Sequence, residues 1–134
     1  MDWKECLKQR IVKETKEDKN LVKSLLETAE IKLKSADSLA DEFFISKISL
    51  LYDSLREILE ALAIKKGFRI YNHECYVAFL KEIMGLSREA EIFNNLRKTR
   101  NDINYYGKKL EKEEAKVIIG KLKNLISKFK NVIK

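Results

Sequence analysis

The chain has 134 residues, no proline and only four glycines, with 45% hydrophobic and 37% charged residues. This composition excludes a turn-rich β-sandwich or barrel and a disordered chain, and the length fits one domain spanning residues 1–134. With 28 basic against 21 acidic residues the formal charge is +7, which suits a polyanionic partner, whereas two cysteines and one histidine cannot supply a four-ligand zinc site.

The N-terminal stretch, MDWKECLKQR, alternates charged with apolar residues. It lacks the apolar core of a signal peptide, and no apolar run reaches membrane-spanning length. A cytoplasmic protein outside the membrane is the resulting expectation. There thiols stay reduced by default, and the pairing of Cys6 with Cys75 is left open. No cofactor and no metal site is expected.

In chain order, the first segment reads as a short amphipathic helix from about Trp3 to Lys16, within an N-terminal piece of residues 1–18. Asp18-Lys19-Asn20 is polar enough to break it. From about Leu21 to Leu39, residues Leu21, Leu25, Ala29, Leu33 and Ala36 recur at helical spacing. From about Phe44 to Lys66, Ile48, Leu51, Leu55, Ile58 and Leu62 share one face. A fourth, short segment starts after Asn72, an N-cap residue type, and runs to Gly85. The fifth opens on Ser87, read as its N-cap, and closes at Gly107. The sixth runs from about Lys112 to Val132, with Glu111, Glu113 and Glu114 at the end where carboxylates favour the helix dipole. Gly67, Gly85 and Gly107 each follow a helical segment, where a left-handed residue is needed. Gly120 interrupts a strong helical pattern and reads as a point where another helix comes close. The pattern as a whole predicts an all-α, up-and-down antiparallel bundle of four to five main helices plus a short one.

Charge is unevenly spread. Residues 108–134 hold nine lysines and three glutamates, a net +6, and the first 107 residues carry only +1. On the last helix Lys116, Lys123, Lys130 and Lys134 form one stripe, roughly opposite Ile118, Leu122, Leu125, Phe129 and Val132. The lysine stripe reads either as a solvated face at the negative end of a helix or as a track that steers phosphates.

The fifth helix holds the least ordinary cluster, Arg97-Lys-Thr-Arg100-Asn101-Asp102-Ile103-Asn104-Tyr105-Tyr106-Gly107. Arg97, Arg100 and Asn104 form a stripe beside an apolar face. Guanidinium groups are costly to desolvate there unless paired, and they match phosphate geometry. Asp53, Glu57 and Glu60 form a stripe on the third helix. Those acids either simply pair with the arginines or orient them towards a phosphate. His73, the one histidine, reads as a surface or capping residue.

The segment Arg100-Asn101-Asp102-Ile103-Asn104-Tyr105-Tyr106-Gly107, closing a helix just before a terminal helix, resembles the signature region of HEPN domains (higher eukaryotes and prokaryotes nucleotide-binding). Ala29-x₃-Leu33-x₂-Ala36-Asp37-x-Leu39, followed by Ser49 to Leu62, resembles the second and third helices of that family. Tyr71 to Leu80 resembles its short fourth segment. The resemblance covers about residues 21–130. It implies a homodimer, nucleotide or RNA as ligand, and a minimal nucleotidyltransferase as partner in a toxin–antitoxin pair.

Many members of that family are metal-independent endoribonucleases with an Arg-x₄₋₆-His motif. Here Tyr105 and Tyr106 stand at the motif spacing from Arg100, and no histidine follows Arg100. Tyrosine, with a reference pKa near 10, is a poor base at neutral pH. Binding through Arg97, Arg100, Asn101, Asn104 and Tyr106 is therefore the expectation, and in the functional reading of the stripes Asp53 and Glu57 are the orienting acids. Catalysis by Arg100 with Tyr105 or Asn104 is the alternative. A purely protein-binding helical adaptor is a third reading.

Overall fold

The computed structural model describes all 134 residues. Six helices and one two-stranded ribbon follow in the order α1 (Trp3–Lys8), β1 (Val12–Glu14), α2 (Lys19–Ser38), α3 (Phe44–Lys65), β2 (Phe68–Ile70), α4 (His73–Ala78), α5 (Ser87–Tyr105) and α6 (Lys112–Ile133). A single 3₁₀ turn precedes α3, and a π-helical turn at Phe79–Ile83 prolongs α4.

The four long helices alternate in direction, as the short connections require. Glu89 near the start of α5 meets Lys128 near the end of α6. Asp37 and Glu30 of α2 meet Lys123 and Lys130 of α6 in reverse order. α3 and α6 therefore point the same way, and the Lys65 amine at the end of α3 donates to the Ile133 carbonyl at the end of α6, 2.8 Å away. α3 is the central element, packed along α2 and α6 and touched by α5 and β2. Its sequence explains this position. Apolar residues lie on nearly all its sides, and twelve of its residues are buried.

Helix ends obey local chemistry. The Asp18 carboxylate accepts from the Leu21 N–H and the Asn72 side-chain oxygen from the Cys75 N–H. Asp18 thus starts α2 instead of merely breaking what precedes it. Ser87 lies inside the first turn of α5 and caps nothing. Leu86 occupies the cap position, held by its N–H to the Leu80 carbonyl at 2.8 Å.

Two further expectations are corrected. The predicted helix from Trp3 to Lys16 stops at Lys8. Arg10 adopts φ +59° and turns the chain, and Val12–Glu14 pairs antiparallel with Phe68–Ile70 in the register Val12↔Ile70, Lys13↔Arg69, Glu14↔Phe68. The turn into β2 needs Gly67, at φ +92°. Gly120, expected to admit a neighbouring helix, is exposed with open space around it.

Cys6 of α1 and Cys75 of α4 form a disulfide. Trp3 packs edge-on against Phe68 and beside Phe79, so α1, the ribbon and α4 form one layer over the end of α3. No helix is long and apolar enough to cross a membrane.

Candidate functional site

The site lies where α3, α4 and α5 meet. Tyr52 of α3 is buried, and its ring stacks on Phe93 of α5 with centroids 6.0 Å apart. That contact fixes the rotation of α5, so Arg100 passes over the Tyr52 ring, its guanidinium carbon 5.1 Å from the centroid. The hydroxyl of the same ring shares a 2.8 Å hydrogen bond with His73 Nδ1. His73 stands at the start of α4 because Asn72 caps that helix.

Besides Arg100 over its ring, the Tyr52–His73 pair feels the charges of Arg56 and Arg97. Burial, and then Arg56, Arg100 and Arg97, push the His73 pKa down to about 4. The imidazole is therefore neutral at pH 7. Burial lifts the Tyr52 phenol to about 12 against the pull of the same arginines, so it keeps its proton. His73 Nε2 has no partner within the chain and is open to solvent.

The arginines are incompletely neutralised. Arg100 meets Asp53 only at 4.0 Å, and its Nε is buried without a hydrogen-bond partner. Arg97 has no carboxylate; its Nε and one terminal nitrogen both donate to the Asn94 side-chain oxygen, at 3.2 and 2.9 Å. Arg56 and Arg69 share Glu60, at 3.5 and 3.9 Å. In these contacts four guanidiniums meet only two carboxylates, Asp53 and Glu60, and Arg97 meets none.

Of the residues singled out from sequence, Arg97, Arg100 and Asp53 come together here. Glu57 does not orient an arginine. It is 4% exposed on the face of α3 towards α2, where it pairs with Lys32. It lies about 40° further round α3 than Asp53, which is enough to place it in the α2 interface. Asn101 is half-buried and Asn104 exposed, neither with a side-chain hydrogen bond in the chain. Tyr105 and Tyr106 are 70% and 80% exposed, without a ring contact to Arg100. The lysine stripe of α6 is largely engaged, since Lys116, Lys123 and Lys130 each pair with a carboxylate.

Sequence reasoning missed Tyr52, Arg56 and His73. Tyr52 and Arg56 are one turn apart, next to the Asp53 stripe, and the helical period would have found them. Nothing in the spacing ties His73 to Arg100, because they meet only through Tyr52 on a third helix. His73 is half-buried and bonds Tyr52, while Asn72 and not His73 caps α4. Compared with protein-family models, with curated proteins and with solved structures, the chain matches none.

Proposed function

We propose that this chain is a HEPN-like nucleotide- or RNA-binding protein that acts in the cytoplasm as a homodimer, paired with a minimal nucleotidyltransferase, and holds phosphate at the Arg56, Arg97 and Arg100 surface. The observation that carries the reading is the surplus of guanidinium charge beside a neutral histidine, with Arg100 Nε left without a partner. The Arg100 side chain is 22% exposed, so a phosphate reaching its terminal nitrogens would add the charge-assisted hydrogen bonds that Asp53 at 4.0 Å does not supply. Asp53 at 4.0 Å is far enough to yield to a second acceptor while still steering the guanidinium.

Arg100→Ala tests the reading. It should leave the far-ultraviolet dichroism and cooperative unfolding intact and abolish binding of a labelled oligoribonucleotide and of a nucleotide. Unchanged affinity for both would sink it.

His73 favours a second reading, metal-independent RNA cleavage. In the tautomer whose proton sits on Nδ1, that proton is donated to the Tyr52 oxygen and Nε2 is left as an acceptor beside the arginines. In this step the 2′-hydroxyl proton passes to Nε2, whose basicity rises as the bound phosphate's negative charge offsets that of the arginines, while the 2′-oxygen attacks phosphorus. The bond from phosphorus to the 5′-oxygen breaks, that oxygen takes a proton from water, and a 2′,3′-cyclic phosphate remains. The arginines would stabilise the added charge on phosphorus. This assigns the base to His73 in place of Tyr105, which stands exposed. RNA incubated with excess EDTA should be cut by the wild type and left whole by His73→Gln. Intact RNA with the wild type at high enzyme concentration eliminates the reading and leaves the binding proposal standing.

A further inference from the structure

The arginine surface does not end at Arg56. Glu60 bridges Arg56 to Arg69 of β2, and so joins α3 to the ribbon. In a strand, alternate residues share a face. Phe68 and Ile70 turn towards Trp3 and the core, so Arg69 and, just past the strand, Tyr71 belong to the opposite face. The register sets Lys13 directly across from Arg69, on that same face. The Lys13 amine lies 5.5 Å from the centre of the Tyr71 ring, and Tyr71 is 60% exposed. Tyr71 is also held in place, because its N–H donates to the Ile11 carbonyl at 2.9 Å, and it sits two residues before His73.

An exposed aromatic ring on an anchored backbone, flanked by cations and continuous with a guanidinium surface, has the composition of a single-strand binding track. Cations follow the phosphates and rings stack the bases. We propose that the outer face of the ribbon is a second subsite, where Tyr71 stacks a base and Lys13 and Arg69 hold the adjoining phosphate, so that the ligand is single-stranded RNA running from Arg97 and Arg100 past His73 to the ribbon. The inference rests on the phosphate-binding reading of the arginine surface and adds to it the ligand's form and direction.

Anisotropy of labelled oligouridylate and competition by uridine monophosphate separate the two. The wild type should prefer the oligonucleotide. Tyr71→Ala should weaken the oligonucleotide about tenfold, the scale of one lost base stack, and leave the mononucleotide affinity unchanged. Tyr71→Phe, which keeps the ring, should bind as the wild type does. Oligonucleotide affinity untouched by Tyr71→Ala, while Arg100→Ala abolishes binding, would overturn the ribbon subsite and preserve the arginine site. Loss of mononucleotide and oligonucleotide binding alike in a folded Tyr71→Ala would also overturn it, since the ring would then serve the arginine site itself. Failure of Arg100→Ala to alter either ligand would remove the reading on which the inference stands.

Discussion

His73 illustrates how neighbours decide what a side chain can do. An imidazole in water titrates near 6.5, but partial burial and three guanidiniums take this one down to about 4. The unfolded chain therefore takes up a proton first. The stability that this histidine contributes is complete above about pH 6.5 and is lost as pH falls through that value towards 4. Urea unfolding at pH 7 and at pH 5 should show a smaller acid loss for His73→Gln than for the wild type. Equal losses would mean that neither burial nor the arginines hold the imidazole neutral. The arginines themselves were legible as a helical stripe on one segment. The role of His73 was not, because its partners lie on two other helices and meet it only after folding.

Among the helices, amphipathic period predicted α2, α3 and α6 to within a few residues of the observed spans, because a long apolar stripe has one way to be buried. The N-terminal segment escaped the same logic. Its apolar residues fit a helix as well as a strand, and the choice was made by a partner strand more than fifty residues away. The α6 lysines were equally ambiguous. Their stripe faces acids of α2 as much as solvent, and a phosphate would have to compete with Asp37 and Glu30. Gly120 offers a clean measurement on this helix. With open space around its Cβ position, Gly120→Ala should raise stability by about 1 kcal/mol, a rise of a few degrees in thermal midpoint. A lowered midpoint would mean that a second copy packs against this face.

Across the fold, the Cys6–Cys75 bridge ties the first helix to the one that carries His73, its cysteines 69 positions apart in sequence. In a chain-entropy account, closing a loop of that length is worth about 4 kcal/mol. The six-residue helices and three-residue strands it joins are too short to be stable alone. Thermal unfolding with and without a dithiol reductant should differ by more than ten degrees, and Cys6→Ser should match the reduced protein. Coincident curves would show that core packing alone holds this layer. The same bridge bears on the cytoplasmic proposal, where it would have to persist against thiol reductants. Composition and apolar period were enough to specify a helical bundle, its long helices and the arginine stripe, because burial of a periodic face is a local property of the chain. The ribbon, the disulfide, the turning of Glu57 to Lys32 and the meeting of His73 with Tyr52 and Arg100 depend on contacts between distant segments, and only the packed arrangement of α3, α4 and α5 brings them within reach.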